Sequence, residues 1–144
     1  FDIELAKKQS NDNPVYYVQY AHARIASILR KAEEAGLRAP WADDPRLAGL
    51  LAGILSGAPE AQLARQIARL PEVVEDAAES EETHGITAYA TELATAFHAF
   101  YRDARVIDET ELDRSAGRLA LIAAAKTTLA NALGLLGISA PETM

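Results

Sequence analysis

Tyrosine and basic residues recur at helical intervals in one stretch: Tyr16 or Tyr17, then Tyr20 and Arg24, with Ser27 and Lys31 continuing the line. On a 3.6-residue period they share one side of a helix, while Val15, Val18, His22, Ile25 and Leu29 share another. Rings alternating with cationic heads suit unpaired RNA, because aromatic faces stack on bases and Arg or Lys meets phosphate. The same residues also fit half-buried packing with the hydroxyls left in water. A second group of the same types, Tyr101, Arg102 and Arg105, lies far along the chain.

Other chemistries lack their parts. The histidines, at 22, 84 and 98, show no HExxH spacing and no pair on one helical face. His22 falls on the apolar side of its helix and reads as a satisfied core histidine; His98, beside Phe97, reads as surface or RNA-facing. No GxSxG elbow, Walker A loop or GxGxxG turn occurs, and there is no cysteine for a thiol nucleophile, a disulfide or a Cys-ligated zinc. The many carboxylates are expected on solvated faces, where they make poor general acids.

The elements that must carry these residues follow from capping signals and periodicity. Asn13 and Pro14 open a first helix, expected from Pro14 to about Ala35 and stopped by Gly36. Residues 37–46 form a Pro-interrupted loop with Trp41 as its anchor over the core, and Asp43 or Asp44 caps the second helix. Short helices are expected over 47–55, from Pro59 to about Arg69, and from Pro71 onward. In the last, Val73, Val74 and Ala77 face inward and Glu72, Glu75, Asp76 and Glu79 face water; acids also suit the first turn of a helix. The fifth helix, His84 to about Val106, carries a core stripe through Ile86, Tyr89, Leu93, Phe97, Phe100 and Tyr101. The sixth, Asp113 to Leu136, is apolar nearly all round and should be the buried central rod. With no strand-length alternation and no hairpin signal, the fold class is all-α, an up-and-down bundle of five or six helices.

The run NPVYYVQYAHARI at residues 13–25 resembles the start of the helical anticodon-binding domain of arginyl-tRNA synthetases. AFHAFYRDARV at 96–106, RLALIAA at 118–124 and the closing LLGI and APETM segments resemble its later helices and terminus. The resemblance spans essentially the whole chain and is weakest across 40–82. These synthetases are class I enzymes that join arginine to its tRNA with ATP and Mg²⁺, and the domain grips the anticodon stem-loop. Carried onto this sequence, that implies Tyr16, Tyr17 and Tyr20 for stacking or base-edge hydrogen bonds and Arg24 for phosphate. Tyr101, Arg102 and Arg105 are implied from the fifth helix, and Met144 from the tail. The HIGH- and KMSKS-type signatures of the class do not occur. The resemblance therefore implies a non-catalytic, monomeric fragment with no cofactor of its own. Residues 1–12 would be the lead-in from an N-terminal catalytic domain and 13–144 the anticodon-binding domain. Its partners would be tRNA(Arg) and that catalytic domain.

Bulk properties are compatible with this. The 144 residues, 49% hydrophobic and 24% charged, fit one soluble domain, with no apolar run near the roughly 18 residues a spanning helix needs. With no secretory signal at the start, cytoplasm is the expected compartment. The net charge of −7 argues against tight, sequence-blind nucleic-acid binding. Its distribution is uneven: residues 1–40 carry a net +1, 41–82 a net −6 and 83–144 a net −2. The rival expectation is a helical docking module without RNA contact, whose mark would be an exposed apolar patch of several hundred Å².

Overall fold

Asn13 starts the bundle. Its side-chain oxygen accepts from the backbone N–H of Val15 at 3.0 Å and of Tyr16 at 3.5 Å, and Pro14 takes the first helical position. The structure is a computed structural model describing Glu4 and residues 12–144; the apolar lead-in expected at Phe1, Ile3 and Leu5 lies outside the described residues. Among these are six helices: α1 (Pro14–Glu34), α2 (Leu47–Ile54), α3 (Ala58–Ala68), α4 (Leu70–Ser80), α5 (His84–Asp103) and α6 (Leu112–Leu135). The described residues include no strand.

The three long helices, α1, α5 and α6, pack pairwise on one another, and the short ones wrap this trio. The hydrophobic side of each long helix meets at the centre, with Ile25 and Ile28 from α1, Leu93, Phe97 and Phe100 from α5, and Ile122, Leu129 and Leu133 from α6. Gly36 and Gly137 end α1 and α6 at φ +79° and +71°, where only glycine is unstrained. Leu37 N–H then reaches back to the Ala32 carbonyl, and Ile138 N–H to that of Leu133.

Helix α2 crosses α6 closely because Gly117 has no side chain: a Cβ there would lie 2.7 Å from the Leu50 carbonyl oxygen. Helix α3 is tied to α6 by a buried ion pair, Arg118 donating from Nε at 3.1 Å and Nη2 at 2.9 Å to Glu60 Oε1. Its third nitrogen, Nη1, donates to the Arg105 carbonyl at 2.8 Å. Glu60 thus departs from the expectation that the carboxylates lie on exposed faces; a cation reaching in from α6 makes its burial tolerable.

Four other expectations need correction. Helix α5 ends at Asp103 rather than near Val106, because Ala104 turns extended (φ −118°, ψ 131°). Extended backbone buries Ala104 and Val106 and turns Arg105 between them to water. Trp41 is no anchor: 82% of its surface is exposed. Leu135 is also exposed, at the last residue of α6, so the central rod is buried only up to Leu133. Neither Asp43 nor Asp44 caps α2, whose N-cap is Arg46 without a side-chain cap bond. Asp44 instead closes the preceding turn, its Oδ1 accepting from Arg46 N–H at 2.9 Å and its carbonyl from Leu47 N–H at 3.0 Å.

Candidate nucleic-acid interface

On α1, Tyr17, Tyr20 and Arg24 are separated by three and four residues, so they share a face. On α5, His98 and Tyr101 are likewise three apart. Packing of α1 against α5 brings the two sets into one cluster. The imidazole of His98 is at its centre, 5.4 Å from the Tyr17 ring and 5.9 Å from the Tyr20 ring, stacked at 28° on the latter. Phe97 lies 5.2 Å from His98 and stacks on Tyr101 at 6.0 Å, joining the cluster to the core.

The Arg24 guanidinium completes it. Its carbon lies 4.9 Å from the centroid of the Tyr101 ring, and its Nη1 donates to His98 Nδ1 at 3.1 Å. Arginine can only donate, so Nδ1 must accept and the imidazole proton resides on Nε2. That Nε2–H is buried and has no hydrogen-bond partner among the described residues. Burial and, secondarily, the Arg24 charge push the His98 pKa down to about 4, so the ring is neutral near pH 7. Neither neighbour neutralises Arg24, which keeps a full positive charge available to an anion.

Hydroxyl partners fix the tyrosine on the inner side. Thr95 Oγ1 donates to the Thr91 carbonyl at 2.9 Å, so it accepts from the Tyr17 hydroxyl at 3.1 Å. Tyr20 is 37% exposed and offers its ring to solvent. Tyr16 is half-buried in the first turn of α1, outside these ring contacts.

The remaining candidates are not drawn into the cluster. Arg102 is exposed and pairs with its neighbour Asp103 at 3.5 Å. Arg105, off the end of α5, donates from Nε to the Ile107 carbonyl at 3.3 Å. Met144 is 54% exposed at the end of a tail that runs along another flank of α1. Gln19 donates to the Ser139 carbonyl at 2.9 Å, His22 Nδ1–H to that of Pro141 at 2.8 Å, and Arg30 to that of Glu142 at 3.3 Å. His22 is therefore buried and satisfied, as its place on the apolar side implied.

A cluster of rings and one unneutralised guanidinium on a helical bundle is a physical description of a surface, and comparison with known proteins gives it a lineage. The profile of the DALR anticodon binding domain matches residues 18–144. The chain belongs to the DALR anticodon-binding domain family. Arginine–tRNA ligases of Symbiobacterium thermophilum and Moorella thermoacetica are 50% and 49% identical to it over 145 residues, covering all of this chain. The chain spans about a quarter of the length of these relatives, 25% in each case. The solved Thermus thermophilus arginyl-tRNA synthetase superposes over 100% of the chain and 23% of its own, with TM-score 0.74 and 34% identity. The match is to the DALR domain of such enzymes and not to their catalytic domain. Within this DALR domain, sequence reasoning read His98 only as surface or RNA-facing, whereas its ring is half-buried at the centre of the cluster, with Nε2 sealed in. The available signal was its three-residue step to Tyr101, which puts both on one side of α5.

Proposed function

We propose that this DALR domain is the anticodon-binding part of an arginyl-tRNA synthetase and holds the anticodon stem-loop of tRNA(Arg). The observation that carries the reading is that Tyr20 and Tyr101, from helices distant in sequence, share one patch through His98 and Arg24. An unstacked base finds an open ring on Tyr20. Base-edge or sugar contacts fall to Tyr101, whose ring carries Arg24, with Tyr17 and Tyr16 beside them, and Arg24 meets phosphate. Arg102, Arg105 and Met144 act at the margins of the patch. The relatives' names support tRNA(Arg) as the RNA. On this reading the parent protein is a cytoplasmic monomer that uses ATP and Mg²⁺ at a catalytic domain outside residues 13–144, and this chain binds without catalysing.

The test is titration with an anticodon stem-loop at two salt concentrations. Base-on-ring stacking contributes about 1–3 kcal/mol per base, so Tyr20→Ala with Tyr101→Ala should weaken binding at least about tenfold. Unchanged affinity in that double variant would remove the named residues from the interface.

A docking role is favoured by a separate observation. Trp41, Leu47, Leu51, Leu55, Ile67 and Ala124 line an apolar groove of about 390 Å³ between the 37–46 loop, α2, α3 and α6. This second reading is compatible with the first, since an anticodon-binding domain must also sit on the rest of its enzyme.

A further inference from the structure

The RNA-binding reading leaves His98 without a role, yet the imidazole contacts Tyr17, Tyr20, Phe97 and Arg24, and reaches Tyr101 through the last two. We propose that His98 is a positioning residue: its Nδ1 holds the Arg24 guanidinium over the Tyr101 ring, so that the remaining N–H groups are presented to an RNA phosphate. The inference rests on the function proposed above.

Three observations carry it. First, the contact fixes the tautomer, because Arg24 Nη1 donates to Nδ1 at 3.1 Å and a donor cannot face a donor. Second, that tautomer buries Nε2–H without a partner, an arrangement that core packing alone would not favour. A phenylalanine would fill the same space between Tyr17, Tyr20 and Phe97 and bury no polar group. Third, Arg24 is gripped from two directions, by the ring at 4.9 Å and by the imidazole, and no carboxylate among the described residues pairs with it. The lone pair of a neutral imidazole orients a guanidinium while leaving it fully cationic, which an aspartate in its place would not.

The experiment measures stem-loop affinity against salt for the unaltered chain and for Arg24→Ala, His98→Phe, His98→Asn and the Arg24→Ala/His98→Phe double variant. Melting of each is followed by circular dichroism. Loss of one phosphate contact to a single strand flattens the slope of log K against log salt by about 0.7. His98→Phe is expected to keep or raise the melting temperature while weakening binding about five- to tenfold at low salt and flattening the slope as Arg24→Ala does. His98→Asn, which places an oxygen where Nδ1 was, should restore the slope, and the double variant should bind no worse than Arg24→Ala alone. A His98→Phe protein that binds with unchanged affinity and slope overturns the proposal. So does one that loses as much affinity in the Arg24→Ala background as in the unaltered chain. Failure of the unaltered chain to bind the stem-loop at any salt overturns the RNA reading and this proposal together, which separates the two failures. A measurement without variants also decides it: ¹⁵N NMR of the imidazole at pH 7 should show an unprotonated Nδ1 and a protonated Nε2, and the opposite tautomer excludes the arrangement.

Discussion

The half-buried imidazole at residue 98 gives the protein an acid response of its own. Its folded pKa of about 4 lies below the roughly 6.5 expected when unfolded, so the unfolded chain takes up the proton first. Its contribution is fully present above about pH 6.5 and is lost as the pH falls toward about 4. Discounted for solvent screening at a half-exposed ring, the loss is on the order of 1–2 kcal/mol. The melting temperature should therefore fall between pH 7 and pH 4.5 in the unaltered chain and much less in His98→Phe; equal falls would contradict the shift. Asp44, Asp108 and Glu142 respond in a different window. Hydrogen bonds from Arg46, Thr110 and Lys126 hold them below the usual carboxylate range, so their contribution is lost only in stronger acid. The line from Tyr17 to Arg24 was legible in the sequence because a single helix fixes it. The place of His98 was not, since it depends on which helix passes opposite, and periodicity carries no record of neighbours.

Helix boundaries obey two competing rules, local propensity and burial, and the departures from expectation arise where burial wins. Nothing in Asp103-Ala104-Arg105-Val106 breaks a helix by composition, yet extended backbone there buries two apolar side chains, and Arg118 takes up the Arg105 carbonyl. A three-residue alternation is too short to be read as a pattern. Helix contacts, by contrast, make sharp predictions. Gly117→Ala must push α2 off α6, since the new methyl meets a backbone carbonyl, and should cost about 1–3 kcal/mol, or several degrees in melting temperature. Arg118→Ala leaves Glu60 buried without its cation and should cost about 3–5 kcal/mol in denaturant unfolding. Replacing both, as Glu60→Leu with Arg118→Met, should recover most of that loss. Recovery failing in the double variant would mean that the Arg105 carbonyl, not Glu60, is the partner Arg118 chiefly serves.

Charge is the property that only the whole molecule shows. Residues 41–82 carry a net −6, and the acids of α4, including Glu72, Glu75, Asp76 and Glu79, are exposed on a helix packed against α5. This field opposes a polyanion approaching the cluster and discourages indiscriminate capture. Converting those four to amides should raise the association rate for the stem-loop about two- to fivefold at low salt. The gain should vanish by about 0.5 M, where the Debye length is only a few Å. At this scale the all-helical class and the succession of helices were readable from caps and apolar periods, while the exposure of Trp41 was not, because a loop tryptophan fits either side of a surface. The tail carries a last consequence. Gln19, His22 and Arg30 clasp its main-chain oxygens at Ser139, Pro141 and Glu142. Its route past α1 is accordingly written mostly in peptide groups, with Gln19 also reaching the Ser139 hydroxyl at 3.4 Å and Lys126 the Glu142 carboxylate at 2.9 Å. Losing the hydroxyl at 139 alone should therefore leave the chain end on its track.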